Sequence, residues 1–307
     1  MPNPTDYRFS VPLTNFLRNY KFELQTMVQD IVAPRKPRRN AKGEYMSLGT
    51  ELWKIDVSDA KGPRSEPNEI AYDTSLTSFA CDEYALAIFV SDKERREALS
   101  PWDPMRQAAI TLRHALMLRK EKRVVDLAAA TSNTTTPAND WDNALATIVA
   151  DVNAGKAAMK AALGWKPNTV LWGDHISDEI VGQADIVDLI KYAAAMARPT
   201  SILDNLSSDD LPPRMFGMRR LEPSAQYDTA QPGATASVAS IWGDDAYAFR
   251  VDNAAESPTW AITPESLGMS VRTVREEKRM GFTLIAGWEY DVIETTAAAV
   301  HKFVGVT

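Results

Sequence analysis

The sequence is poor in the residues on which most enzyme sites depend. It holds one cysteine, Cys81, in 307 residues, so no internal disulfide can form, which fits a reducing compartment or one indifferent to redox. Only three histidines occur, His114, His175 and His301, far apart and without ligand-type spacing. Fourteen glycines fall below the roughly 7% of an average chain, which argues against loops built to cradle phosphates. No GxGxxG, Walker, HExxH, GxSxG or Cys–His pattern is present. There is no run of about 18 apolar residues to cross a bilayer, and the N-terminus lacks the charged start and apolar centre of a signal peptide. A net charge of −7 and a pI near 5.2 count against the basic face of a dedicated nucleic-acid binder. What remains is a chain of ordinary globular composition, 45% hydrophobic and 24% charged, expected to be soluble and made in a cytoplasm.

The longest uninterrupted signal is a helix over residues 101–130. Asp103 stands at the N-cap position and Pro104 at the first helical one, where its missing N–H costs nothing. Met105, Ala108, Ala109, Leu112, Ala115 and Leu116 recur at three- and four-residue steps and form one apolar stripe. The stripe is expected to face a sheet, while Arg113, Arg119, Lys120 and Lys122 are expected to face away from it. At about 1.5 Å per residue the rod is roughly 40 Å long.

Before it, residues 13–31 keep helical spacing (Leu13, Phe16, Leu17, Tyr20, Leu24, Met27, Val28, Ile31). Then Arg35, Lys36, Arg38 and Arg39 crowd between prolines. Pro37 restricts Lys36 to extended geometry, so this reads as an arm, either contacting an anion or an acidic neighbour or lying as a solvated loop. Residues 43–57 and 72–91 read as strands around a polar tip containing Gly62, Pro63 and Pro67, which makes a long hairpin. Tyr84, Leu86, Ile88 and Val90 alternate on one face of its second strand. Such a ribbon is marginal alone, so its expected support is another subunit. After the helix, residues 131–140 are a compositional break. A helix capped by Asp140 is expected through Leu163, with Leu145, Ile148, Val152 and Met159 on one side and Gly164 ending it. A buried strand at 167–172 and a helix at 177–196 follow. Strands are expected at 215–220, 237–242 and 246–251, and the clearest at 282–293, where Phe282, Leu284, Ala286, Trp288, Tyr290 and Val292 hold period two. Residues 297–304 close the chain. Trp102, Trp141, Trp165, Trp172, Trp242, Trp260 and Trp288 fall mostly on core faces.

One cluster invites a catalytic reading: Asp174, His175, Asp178 and Glu179. Carboxylates beside a histidine can hold a metal or transfer protons. The same residues sit where a strand turns into a helix, where Asp and Ser cap free N–H groups and acids favour the positive helix end. Capping is the stronger reading. Cys81, Asp209, Asp210, Asp244 and Asp245 also read as structural or solvated.

In order and in local wording the chain resembles the major capsid proteins of tailed bacteriophages, the Hong Kong 97-type shell fold. The resemblance is carried by VAPRKP (32–37), IAYDTSLTSFACDEYALAIFVSD (70–92), LRKEKRVVDL (118–127), GWKPNTVLWGDHISDEIVGQADIVDLIKY (164–192), SIWGDDAYAF (240–249) and WEYDVIETTAAAVHKFVGV (288–306). It implies an α+β chain with an N-terminal arm (1–40), an extended loop (41–80), a peripheral domain (81–135 and 281–307, with spine helix 101–130) and an axial domain (136–280). It implies no enzyme, cofactor or metal, but a subunit that self-assembles into pentamers and hexamers around double-stranded DNA in a virion, assembled in the host cytoplasm. Implied partners are other copies of the chain, with portal and scaffolding proteins and room for a cement protein, without sequence-specific DNA binding and without a membrane. Arg35, Lys36, Arg38, Arg39, Lys42, Lys54, Lys61 and Arg64 are the expected inter-subunit contacts. Some relatives carry a scaffolding segment ahead of the arm; none stands here, so a scaffold would be separate or already removed. Some relatives cross-link through a lysine and an asparagine, but no motif marks Lys42, Lys54 or Lys61 for it. Alternatives are an encapsulin-like compartment shell, which the fold also allows, and a hydrolase built on the 174–179 cluster.

Overall fold

A computed structural model describes residues 8–9, 13–14, 26–48, 66, 74–99, 102–188, 211–230, 233–253 and 257–306. Arg8–Phe9 (β1) and the short helix Gln29–Val32 (α1) precede Arg35–Pro37 (β2) and the hairpin strands Lys42–Leu48 (β3) and Thr74–Ala80 (β4). Asp82–Ser91 (β5) runs into Asp92–Glu97 (α2) and then Pro104–Ala129 (α3). Thr134–Thr135 (β6), Ile148–Leu163 (α4), Thr169–Leu171 (β7) and Asp174–Ile180 (α5) come next. The chain continues through Arg214–Met215 (β8), Met218–Leu221 (β9), Gln226–Asp228 (β10), Val238–Ser240 (β11) and Ala246–Phe249 (β12). It ends with Ala261–Glu276 (β13), Gly281–Tyr290 (β14), Ile293–Glu294 (β15) and Val300–Phe303 (β16).

The long helix forms where the sequence places it. The Asp103 carboxylate accepts the Met105 N–H at 3.0 Å, and Pro104 opens the first turn. Ala108, Ala109, Leu112 and Leu116 bury against Val271, Leu284, Ala286, Trp288 and Tyr290, so the stripe meets the late strand as expected. That strand, β14, is the middle of the first sheet. It pairs antiparallel with β5 on one side and with β13 on the other, while β1, β2 and β15 also pair with β13. The second sheet runs β6-β16-β12-β7-β9-β8, and α4 covers it through Val152, Met159 and Leu163. The last strand, β16, thus belongs to the second sheet, although β14, only nine residues upstream of it, is in the first.

Several expectations need correction. Lys120 does not face away: its side chain is fully buried, as is Glu121 beside it. Both lie where α3 passes from the core under the first sheet to the core shared with α1 and the second sheet. The helix expected from Asp140 starts only at Ile148, because Trp141 turns inward; its N–H donates to the Val306 carbonyl and its ring packs edge-on against Trp172. Leu145 is left exposed in the intervening turns. The strand expected over 215–220 is instead a tight hairpin, turning at Phe216 and Gly217, both with positive φ. The helix expected over 177–196 starts at Asp174, breaks after Ile180 and is helical again over 184–188, and 189–196 lie outside the described residues. Trp102 and Trp165 are exposed, whereas Trp141, Trp172, Trp242, Trp260 and Trp288 are fully buried. Gly164, at φ 77°, ends α4 as expected. The longest strand of the first sheet, β13, gave no periodic signal: it contains Pro264 and Gly268 and shifts register twice against β14.

Candidate assembly surfaces

The arm lies along the first sheet. Residues Arg35–Pro37 pair parallel with Thr263, Pro264 and Glu265, because Pro37 and the extended geometry it imposes on Lys36 suit a strand edge. The Arg35 guanidinium forks onto Asp30, with Nε at 2.8 Å and Nη2 at 2.5 Å, and lies 4.8 Å from the Trp288 ring centre. Lys36 Nζ donates to the Asn253 carbonyl and side chain at 2.7 and 2.6 Å. The Arg38 guanidinium sits 5.9 and 5.8 Å from the rings of Tyr45 and Phe79, at the root of the hairpin. Arg39 and Lys42 are exposed. Lys54, Lys61 and Arg64 lie outside the described residues. Of the eight expected contact residues, Arg35, Lys36 and Arg38 are therefore used within the chain, and Arg39 and Lys42 are exposed on the surface.

Among the described residues the hairpin strands β3 and β4 pair with each other alone, from Lys42↔Ala80 to Leu48↔Thr74. Tyr45 and Phe79 bury against Ile262 and Ile293 at the root, while Leu76, further out, is 61% exposed. At Cys81 the extended run 74–91 changes partner, from β3 to β14. The Cys81 N–H donates to the Ala41 carbonyl, and Sγ lies 3.5 Å from the Pro264 carbonyl, so Cys81 acts here as a strand junction. Burial, with Asp291 and Glu289 nearby, pushes its thiol pKa up and away from a nucleophile's.

Behind the arm lies a buried charge cluster that periodicity reasoning missed. Lys120 Nζ reaches Asp30 at 2.6 Å. Glu121 accepts from the Val28 N–H at 3.2 Å, the Gln29 N–H at 2.9 Å and the Trp242 indole at 2.8 Å. Burial pulls the Lys120 pKa down, against the opposing pull of Asp30, and pushes that of Glu121 up, against its three donors. Burial would raise the Asp30 pKa as well, but Arg35 and Lys120 together outweigh it and hold it below 3.8. Two adjacent charged residues of α3 thus clamp the segment before β2.

A further exposed patch lies at the far end of the first sheet. Leu99, Trp102 and Met280 are 83%, 58% and 72% exposed. Trp102 and Met280 rim a cleft of about 1160 Å³ that Arg95, Arg96, Arg275 and Arg279 also line.

Among the described side chains of the 174–179 cluster, His175, Asp178 and Glu179 share no common partner. His175 Nε2 lies 3.3 Å from Asp244, whose turn-like sequence context reads instead as solvated. Ser177 is buried inside the helix and accepts from the Trp172 indole at 2.7 Å; it caps nothing, and Gly173 holds the N-cap position. Asp178 and Glu179 point to solvent, and of Asp174 only the backbone is described. Among the described residues no three His, Cys, Asp or Glu side chains gather as metal ligands, and no helix is long and apolar enough to cross a membrane.

No protein-family model matches the chain, and no curated protein matches it in sequence. In fold it is similar to a phage-related protein from Bordetella bronchiseptica RB50, at 14% identity and TM-score 0.71 over 98% of each chain. It is similar to the capsid of the cyanophage P-SCSP1u, at 10% identity and TM-score 0.59 over 92% of this chain and 89% of that one. It is also similar to a virus-like particle from Pyrococcus furiosus, at 10% identity and TM-score 0.55 over 96% and 98%.

Proposed function

Because the chain has the Hong Kong 97-type capsid fold, we propose that it is a major capsid protein of a tailed phage, a structural shell subunit. In this reading it assembles into pentamers and hexamers that enclose double-stranded DNA in a virion, and it is made and assembled in the host cytoplasm. Its principal partners are copies of itself, with portal and scaffolding proteins during assembly. The fold likeness along nearly the whole chain is the observation that carries the reading. The hairpin supports it. Among its described side chains only Tyr45 and Phe79 are buried apolar residues, and a two-stranded ribbon is marginal alone, so in this reading a neighbour supplies its support. We assign the first sheet with α3 to the peripheral part, the second sheet to the axial part, residues 41–80 to the extended loop and 1–40 to the arm. This takes β13 into the peripheral part and β16 into the axial one. Arg39 and the four basic residues of the loop, Lys42, Lys54, Lys61 and Arg64, are the proposed inter-subunit contacts. In this reading the subunit performs no reaction.

Negative-stain electron microscopy of the purified protein tests the reading: closed uniform shells, or rings of five and six, are expected. A monodisperse small oligomer would overturn it. The acidic chain should also leave assembled shells weakly bound to free DNA at about 150 mM salt, and nanomolar binding would contradict the container role. The likeness to the Pyrococcus furiosus particle favours a second reading, an encapsulin-like compartment. Shells that co-purify with a cargo protein instead of nucleic acid would select it.

A further inference from the structure

Three cations and three aromatic rings alternate across the first sheet. Arg35, on β2, lies 4.8 Å from the centre of the Trp288 ring. Lys120 Nζ, on α3, lies 4.8 Å from the same ring and 5.5 Å from that of Tyr290. Arg123, three residues further along the helix, lies 5.7 Å from Tyr290 and 3.7 Å from Tyr84, and donates to the Tyr290 hydroxyl at 2.6 Å. The rings also touch one another, Trp288 to Tyr290 at 4.7 Å and Tyr84 to Tyr290 at 4.8 Å. The register explains the stacking: Trp288 stands opposite Tyr84 on β5, and Tyr290 follows two residues on, on the same face of β14.

The two ends of this run are the arm and the root of the hairpin. At one end Arg35 and Lys120 share Asp30, and Glu121 holds the Val28 and Gln29 amides, which fixes the arm. At the other end Tyr84 sits three residues past the Cys81 junction, and the Asp291 carboxylate, next to Tyr290, accepts the Ala80 N–H at 3.1 Å, which fixes the root of the hairpin. A cation held between rings is well placed only while both rings stay put, so displacing either end removes a partner from the next member.

We propose that this run couples the arm to the hairpin root energetically through the middle of α3, so that fixing one stiffens the other. Its assembly meaning rests on the shell reading above. A neighbour that grips the hairpin would then firm the arm for its own contact, and by linkage the reverse holds equally.

Hydrogen exchange on the full-length, unassembled chain tests the coupling, whatever the outcome of assembly. Tyr84→Leu touches neither the arm nor the 38–42 connection. It should raise exchange of the Val28–Ala33 amides by about threefold or more, within the range that packed networks transmit. Leu86→Ala, on the same strand and face but outside the run, should loosen β5 and leave those amides unchanged. Asp30→Asn should raise exchange at residues 82–86, and the double variant should show less than the product of the two single effects. The inference fails if Tyr84→Leu leaves the arm at its wild-type rate, or if Leu86→Ala moves the arm as much. Should Asp30→Asn not fold, the Tyr84 and Leu86 variants decide the matter between them.

Discussion

At the scale of single residues, Lys120 and Glu121 carry the least expected result. Buried charges are costly unless their partners are well placed, and replacing one member strands the others. Glu121→Ala leaves two backbone N–H groups and the Trp242 indole without an acceptor, so it should lower stability by about 3 kcal/mol; Glu121→Gln, which keeps an oxygen, should cost less. Urea unfolding of unassembled chain measures both. Gln29 next to it offers the opposite test. Its carboxamide is buried without a hydrogen bond, so Gln29→Met should raise stability by about 1 kcal/mol in the same assay. Asp30 sets a pH dependence whose sign follows from its lowered pKa. Its contribution is complete above pH 3.8 and is lost as pH falls through the lower native value. The stability gap between wild type and Asp30→Asn should accordingly hold at neutral pH and close in strong acid.

At the scale of elements, the helix–sheet contacts leave little room for local propensity to rule. An alanine for glycine inside a helix normally adds about 1 kcal/mol. At Gly155 in α4 the new Cβ would fall 2.5 Å from the Phe303 ring and 2.9 Å from that of His301. Gly155→Ala should therefore lower the melting temperature and disturb β16, not stabilise α4; a higher melting temperature would show that the second core yields. The sequence was most legible at this scale. The spine helix and β14 repeat a simple period over more than ten residues and β5 over seven, and each forms where that period falls. Even Lys120 had a signal, standing four residues after Leu116 and four before Val124 on the buried stripe. A charged side chain in that line reads as surface unless its partner is known, and Asp30 is 90 residues away. β13 was illegible because its bulges break alternation, and Trp141 was misplaced because a tertiary bond to Val306 overrides the helical pattern around it. The contact surfaces were legible only in outline, since whether a basic residue bonds inward, as Arg35 does, is decided by chain distant in sequence.

At the scale of the whole molecule, α3 packs into the cores of both six-stranded sheets, and β3 and β4 form a two-stranded ribbon of their own. The ribbon's amides should exchange within the dead time of the measurement in free subunits and become protected on assembly, because only a neighbour can bury strands with so few apolar residues. Exchange that is already slow in the free chain would show the hairpin lying on its own subunit.

The change of partner at Cys81 has a mechanical side. The hairpin is not tied to the subunit by a loop: one of its strands simply continues as β5, which is matched residue by residue to β14 from Ser91↔Gly281 to Asp82↔Tyr290. The bonds between the two strands run across their axes, so a pull along the hairpin strains the whole row together in shear and does not peel it open from one end. A tug delivered to the tip therefore reaches the middle of the sheet as tension along a single strand, shared among many weak bonds, with α3 braced behind them.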